Sequence, residues 1–522
     1  MRSISLEIVT SDHDHETERC DPKLVSEAKV ISLEEVARLS SEFNVIPLTK
    51  TLFSGTETPV GIYNKLCEMR PNTFLLESAE AGVWGRYSFI GVNIRGELSF
   101  DHAVNWRSNA PAVPTGSLSS DPLLALRQFQ ASWRSSPAEH PLSSGMVGFI
   151  SWGLTELLEN MPERKFEDYK LPLYSFLQFS ELIIVDHLKS ELVLISLIFL
   201  DEHGDIATKY EHATKMLQEL EENLRKATPV FLRESPDAEA RFNSNTSEND
   251  FLGSVERAKK YVRKGDVFQV VLSQRFDQDF SGDSLDIYRC LRAANPSPYM
   301  YFLRMRDADG DFSIVGSSPE ALIKVRSEKV ITHPIAGSRP RGMDSLEDAQ
   351  MEKDLLGDEK ERSEHLMLVD LARNDLLRVC RPESLRVSEF MQVNRFSHIM
   401  HLSSTVEGEL REGKTPVDAL FSTYPAGTLS GAPKPRALEI ISELEHSYRG
   451  LFGGVVGYFD FGGNADLAIA IRTAFVRDGV AHVQAGAGIV LDSQPEAEDQ
   501  ETRKKAEVVL KSVGRANAMR ND

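Results

Sequence analysis

Cysteine is scarce in this chain. Four occur in 522 residues (Cys20, Cys67, Cys290 and Cys380), too scattered for metal or redox spacing. That excludes a disulfide framework and fits a reducing compartment. Long apolar runs are also missing: the most apolar stretch, LVLISLIFL from Leu192 to Leu200, is far too short to cross a bilayer and reads as a buried strand. The first 27 residues, centred on SDHDHETERCD, have neither the basic start nor the apolar core of a secretory signal, so they read as a disordered polar leader and the expected compartment is the cytosol. Positive charge is in deficit, with 59 Lys and Arg against 79 Asp and Glu and a net charge of −20. No basic stripe interleaved with aromatics offsets it, which argues against nucleic acid as a partner. An anionic substrate must therefore be met by a few locally placed arginines.

What is present fits a large folded chain, 41% hydrophobic and 26% charged. SLEEVARLSSEF reads as a helix, while TFLLES, RYSFIGV, GELSF, GMVGFISW, LPLYSFLQFSELIIVDH and SELVLISLIFL read as strands. EHATKMLQELEENLRKA is a charged amphipathic helix. The Pro-, Ser-, Asn- and acid-rich segment that follows lacks periodicity, so residues 231–250 read as a linker between regions 28–230 and 251–516. The second region opens with a helix around SVERAKKYVRKG and the strand DVFQVVLSQRF. It ends in strands GGVVGYFDF, ADLAIAIRTAFV and VAHVQAGAGIVL, joined by GGN and Asp478–Gly479 turns. Short turns make antiparallel neighbours, and helices such as PKPRALEIISELE are interspersed, so the class is α+β with large antiparallel sheets.

Two acidic pairs stand out. Glu361 and Glu364 lie three apart in GDEKERSEHLMLVDLARND, whose Leu366, Met367, Val369 and Leu371 suggest a helix docked on the core; Glu498 and Glu501 repeat the spacing in PEAEDQETRKKAEVVLKSV. With 79 acidic residues, such pairs also arise on any solvated face. If they converge, two carboxylates about 4 Å apart repel by roughly 4 kcal/mol at an effective dielectric near 20, and Mg2+ is the cation that best suits the gap. GSRPRG, GTLSGAPK, IAIRTAF and QAGAG share small residues that expose backbone N–H groups, with arginine or hydroxyl groups nearby. In GTLSGAPKPRALEI, Ser430 reads as a cap and Pro433 as the helix start, a setting suited to a carboxylate. Arg472 reads as mid-strand, needing a partner, which a structural salt bridge or a substrate could supply. His401, in FSHIMHLSS, reads equally as a core residue or a catalyst.

In order, LLES, FQVVLSQRF, NPSPYM, GSSPEA, PIAGSRPRG, KERSEHLMLVDLARNDL, IMHL, GTLSGAPK, GGVVGY, IAIRTA and QAGAGIVLDS resemble the chorismate-utilising enzymes, in particular the aminating large subunits of anthranilate synthases. The resemblance is dense from about residue 250 onward and sparser over 45–200. It implies two large antiparallel sheets forming a sandwich with surrounding helices. The implied reaction adds ammonia to C2 of chorismate with loss of the C4 hydroxyl, then eliminates pyruvate to leave anthranilate. It also implies that Glu364 and Glu501 hold Mg2+ with Glu361 and Glu498 behind them, and that Arg472, Gly486, Ala487, Gly488, Gly337 and Ser338 bind substrate. Glu320 matches the general acid, His401 the histidine of pyruvate elimination, and Thr428 and Gln269 line the site. Ser78, Pro298, Tyr299 and Met300 are the implied site for tryptophan as feedback inhibitor.

Relatives that aminate C4 carry lysine where this chain has Ala336, and water-adding relatives carry lysine where it has Gln269. An amide cannot deprotonate water, so ammonia is the expected nucleophile. Ser338 replaces a usual threonine and Phe452 a common tyrosine. No cysteine sits in a G-x-C-x-G setting, so the resemblance implies a separate glutamine amidotransferase subunit as the source of ammonia. The competing readings are an aminodeoxyisochorismate-type or aminodeoxychorismate synthase without the same elimination, and a non-catalytic regulatory homologue.

Overall fold

The computed structural model describes residues 30–79, 85–108, 110–114, 116–162, 169–201, 204–227, 239–395 and 399–519. The expected leader, 1–27, and residues 231–238 of the expected linker lie outside the described residues. Two long strands, Tyr87–Phe100 and Tyr174–Asp186, run side by side over their whole length and organise everything else. RYSFIGV and GELSF, expected as two strands, are thus one. It carries register shifts between Gly91 and Gly96, where the ladder bulges.

Each half of this long pair belongs to a different arm of the sheet. Beyond one half, Tyr174–Asp186 takes Glu191–Phe199 and then Val45–Phe53. On its other side Tyr87–Phe100 takes Thr73–Glu77, followed by Tyr299–Asp307, Gly310–Ser318, Thr473–Arg477, Val480–Ile489 and Gln269–Asp279. Beyond the other half come Gly145–Ile150, Val455–Asp460, Ala465–Ile469, Ala321–Arg326, Lys329–Thr332 and Ile399–Glu409. These ladders are all antiparallel. The two expected sheets are therefore two arms of one hydrogen-bonded network, and their inner faces pack together, as where Phe149 meets Phe312 edge-on at 6.0 Å.

The first arm is covered on both faces. Val193, Ile195 and Leu197 enter the core between the arms, while Leu192, Leu194 and Ile198 enter a second core under helices Pro59–Cys67, Ile206–Arg225, Ser284–Ala294 and Pro495–Ala518. Two-sided burial explains why LVLISLIFL shows no alternation.

Residues from both sequence regions share each arm: Thr73–Glu77 pairs with Tyr299–Asp307, and Gly145–Ile150 with Val455–Asp460. The helix expected around SVERAKKYVRKG starts earlier, at Glu248, where the Ser247 hydroxyl accepts from the Asp250 N–H at 3.2 Å. In helix Glu359–Leu377 the buried face is His365, Leu368, Val369 and Leu376, whereas Leu366, expected in the core, is 47% exposed. Ser430 is not a cap: its hydroxyl donates to the Ala426 carbonyl at 2.9 Å, and Pro433 is the residue preceding helix Lys434–Leu444.

Gly148 lies where three strands crowd, and a Cβ there would fall 1.9 Å from the Ser175 carbonyl oxygen, a backbone atom fixed by its own ladder. Gly148→Ala should cost about 1–3 kcal/mol, as overpacking does. The check is a lower denaturant midpoint with an unchanged slope.

Candidate active site

Four acidic residues on two distant helices line one cavity of about 830 Å3. Glu361 and Glu364 come from helix Glu359–Leu377, Glu498 and Glu501 from helix Pro495–Ala518, so the two pairs converge. Burial pushes the Glu364 carboxyl up, Glu361 and Glu501 push it further, and the Gln269 amide, donating at 3.3 Å, opposes them. Burial likewise raises Glu498, with the Ser493 hydroxyl opposing and Glu501 adding to the rise. Glu501 pairs with Lys505 at 2.7 Å, and Glu361 with Arg339 at 3.5 Å. Among the described residues no group of three or more His, Cys, Asp or Glu side chains is close enough to hold a metal ion. The donor set, carboxylate oxygens that repel one another, is nonetheless that of a hard, oxygen-seeking cation which keeps other ligands of its own.

Glu320 is of a different kind. Burial pushes its carboxyl up to about 7; the Thr428 hydroxyl, donating at 3.0 Å, and the positive charges of Lys505 and Arg472 restrain the rise. Its carbonyl accepts the Ile469 N–H at 3.0 Å, which fixes the backbone at the edge of the second arm. Near neutral pH this carboxyl is partly protonated, in a cavity that also holds the two acidic pairs and Asp492.

Arg472 is not mid-strand. The expected strand ADLAIAIRTAFV breaks into Ala465–Ile469 and Thr473–Arg477, and Arg472 stands in the gap with φ +50°. Its carbonyl accepts the Ser317 N–H at 3.2 Å, and its side chain lines the cavity. Among the described residues its guanidinium has no hydrogen bond or salt bridge; burial pulls its pKa down, and the Glu320 carboxylate raises it. A half-buried cation so placed is suited to an anion that the protein does not itself provide.

The motif GSRPRG is divided in its roles. Gly337, at φ +68°, makes a bulge between Ala336 and Ser338 and lines the cavity with both. Its carbonyl accepts from His401 Nδ1 at 3.0 Å. The motif's arginines face protein carboxylates: Arg339 meets Asp358 and Arg341 meets Asp348, each at 2.7 Å, and the second pair, with the Gly342 N–H, holds Asp348 down to about 2. Burial, with Arg472 nearby, lowers the His401 imidazole, which is neutral at physiological pH.

Gly486 and Gly488 lie on the cavity wall, and a Cβ at Gly488 would meet the Gln269 amide at 2.3 Å. Ala487, expected among the binding residues, is buried in the core between the arms, because side chains alternate along strand Val480–Ile489. Thr428 and Gln269 line the cavity. Of the expected effector residues only Pro298 lines it. Tyr299 donates to Asp466 at 2.8 Å, Met300 is buried in the core under the helices, and Ser78 is half-buried with no partner for its Oγ. Lys360, Lys505 and Gln484 also line the cavity and were not anticipated. Lys505, whose Nζ donates to the Gly486 carbonyl at 3.0 Å, follows Glu501 by four in the sequence, which was the available signal.

The raised Glu320 pKa has a consequence for stability. A carboxyl whose folded pKa, about 7, exceeds its unfolded value near 4.5 stabilises the fold least at high pH, because the unfolded chain then ionises more readily. Relative to the parent, Glu320→Gln should gain stability between pH 5.5 and 8.5 by about 1–2 kcal/mol, since each pKa unit is worth roughly 1.4 kcal/mol. Thermal unfolding of both chains at the two pH values measures it, and a difference independent of pH would refute the raised pKa.

The architecture has known counterparts. A family model described as chorismate binding enzyme matches residues 71–511. Anthranilate synthase component 1 of Mycolicibacterium smegmatis is 47% identical over 504 residues, covering 94% of this chain and 94% of its own. Among solved structures, anthranilate synthase component I from Streptococcus pneumoniae TIGR4 aligns with a TM-score of 0.73 at 36% identity, over 82% of this chain and 93% of that one. The menaquinone-specific isochorismate synthase of Escherichia coli, 18% identical, shares the fold with a TM-score of 0.66 over 92% of this chain and 98% of its own. With most of its length matched by the family model and by a relative sharing nearly half its residues, the chain belongs to the chorismate binding enzymes.

Proposed function

We propose that this chain, a chorismate-converting lyase, adds ammonia to chorismate and eliminates pyruvate to give anthranilate, the entry to tryptophan synthesis. The observation that carries this reading is Glu320: a carboxyl protonated near neutral pH, oriented by Thr428 and sharing a cavity with Arg472, which has no salt-bridge partner there. Arg472, the Gly486 and Gly488 backbone and the Gly337–Ser338 bulge receive the substrate carboxylates. Glu320 gives its proton to the C4 hydroxyl oxygen as that C–O bond breaks, because hydroxide leaves poorly unless protonated. His401, neutral and tied through Nδ1 to Gly337, assists pyruvate elimination with its other ring nitrogen.

Glu364 and Glu501 are the residues that would hold Mg2+, with Glu361 and Glu498 behind them. When bound, the ion supplies electrostatic hold on the C1 carboxylate and favours loss of the hydroxyl. Ala336 and Gln269 stand on the cavity wall, and the Gln269 amide donates to Glu364, so neither position offers a nucleophile or a base for water. Among the described residues Cys67, Cys290 and Cys380 are buried thiols, with Cys67 pushed up to about 12 and Cys380 to about 11. None is poised as a glutaminase nucleophile, which supports a separate amidotransferase subunit as ammonia donor. Tryptophan is the proposed inhibitor at Ser78, Pro298, Tyr299 and Met300. Support comes from Asn295–Pro298, which forms part of the cavity wall, so that a ligand there would reshape it. The proposed compartment is the cytoplasm; among the described residues no helix is long and apolar enough to cross a membrane.

The purified chain, given chorismate, Mg2+ and an ammonium salt at alkaline pH, should release anthranilate and pyruvate, read by fluorescence and mass, and a chelator should abolish both. An amino acid that accumulates with its enolpyruvyl group intact would show that elimination is absent. Glu320→Gln should lower kcat by about 10²–10⁴, the usual worth of a positioned acid; undiminished turnover would remove Glu320 from that role.

A further inference from the structure

We propose that Arg339 is a positioning residue that holds the Glu361 carboxylate back against the Gly337–Ser338 bulge, so that Glu361 stands behind the metal position and leaves places on the ion open for substrate. The inference rests on the Mg2+ reading proposed above.

Glu361 and Glu364 are the same side chain on one helix face, yet different strands take hold of them. Glu364 turns toward strand Gln269–Asp279, where the Gln269 amide donates to its Oε1 at 3.3 Å. Glu361 turns toward strand Ile335–Pro340, where Arg339 Nη1 lies 3.5 Å from its Oε1. Its other oxygen faces the same strand. A Cβ built on Gly337 would fall 3.1 Å from Glu361 Oε2 and 3.2 Å from Glu361 Cβ, so the acid packs on the glycine where a side chain would otherwise stand. Burial, and then the Glu361 charge, push the Glu364 carboxyl up, which is the mark of two acids that feel each other while facing apart.

Arg339 is itself anchored beyond Glu361. Its Nη2 donates to Asp358 Oδ2 at 2.7 Å, and its Nη1 donates to the Ser338 carbonyl at 2.8 Å. Asp358 is the N-cap of helix Glu359–Leu377, and its Oδ1 accepts the Lys360 N–H at 3.0 Å and the Glu361 N–H at 3.1 Å. The guanidinium thus joins the bulge to the start of the acidic helix. Glu361 is the third residue of that helix, where a glutamate commonly folds back onto the N–H of the N-cap. Here the Asp358 N–H goes to the Leu355 carbonyl at 3.4 Å, and Glu361 goes to the arginine.

Charge gives the arrangement its purpose. The bulge is proposed to receive a substrate carboxylate, and Glu361 lays a second carboxylate on its back. Like charges so placed repel unless a cation stands beside them. Arg339 supplies it as a planar fork that spans Asp358 and Glu361, which the single point charge of a lysine does not. Freed from the arginine, Glu361 would be drawn to whatever cation Glu364 holds, and would fill a place that substrate needs.

The test titrates the full chain with MnCl2 in the absence of chorismate and counts free Mn2+ by electron paramagnetic resonance, because Mn2+ takes the same octahedral oxygen ligands as Mg2+. Arg339→Met should bind Mn2+ about 3- to 10-fold more tightly, since ligand charge sets the affinity of such sites. In Mg2+ assays its KM for chorismate should rise by a similar factor, with kcat held within about twofold. In a Glu361→Gln background the gain in Mn2+ affinity should vanish, because the arginine then restrains nothing. Arg339→Lys, which keeps the charge and loses the fork, should tighten Mn2+ to a smaller degree and decides the matter if Arg339→Met does not fold. Mn2+ affinity that is unchanged or weaker in the folded variants overturns the proposal, as does an equal gain in the Glu361→Gln background. A parent chain that binds no Mn2+ defeats the metal reading and this inference together, whereas normal parent binding with unaltered variants defeats this inference alone.

Discussion

The Arg449–Glu445 ion pair is the interaction on which the site's construction depends. Arg449 is 1% exposed, yet every part of its guanidinium is used. It grips Glu445, donates to the Leu429 carbonyl at 2.7 Å and the Val271 carbonyl at 2.8 Å, and lies 4.3 Å from the Trp152 ring centroid. Val271 belongs to the strand beside the glycine floor, and Leu429 to the short turn that presents Thr428 to Glu320. One side chain thus ties the glycine floor to the turn that holds Glu320 through Thr428. Removing either partner of such a pair leaves a buried charge and typically costs about 3–5 kcal/mol, so the pair tolerates little drift.

Charge within the cavity is distributed by the same logic of partners. Glu361 and Glu501 have basic neighbours in Arg339 and Lys505, while Glu364 and Glu498 are raised by burial and by the other acids. Glu320, apart from the pairs, is raised chiefly by burial. Identical side chains therefore meet different electrostatic surroundings within one cavity. In a chain with a net charge of −20, Arg472, Lys360 and Lys505 put positive charge on the wall of this one cavity.

Much of this was legible in the sequence where one local rule dominates. The acidic pairs at helical spacing lie on faces that converge, and turn signals such as Asp478–Gly479 mark hairpins that form. Failures came where a distant partner overrides local pattern. Nothing within ADLAIAIRTAFV shows that Arg472 breaks the strand, since the break is held by the Ser317 N–H from another strand. The arginines of GSRPRG resembled anion ligands until Asp348 and Asp358 appeared beside them from the following helices. Leu366 looked like core by hydrophobicity, but the buried stripe is set by His365 and Leu368 on the neighbouring face. Ala487 matched a binding motif whose glycines face the cavity, and alternation turns its own side chain away.

The two sequence regions interleave in the sheet, although the cavity wall, apart from Ala79, is built by residues of 251–516. Gly145–Ile150 pairs with Val455–Asp460, which pairs with Ala465–Ile469, the strand that leads to Arg472. Thr73–Glu77 pairs with Tyr299–Asp307, the strand that follows Pro298 on the cavity wall. Strands from the first region thus brace segments of the second that carry the wall. A disturbance at the Ser78–Pro298 edge therefore has a short path to the cavity through Pro298 itself. The inhibitor site proposed above therefore needs no long relay through the core, since Pro298 belongs to both the edge and the wall.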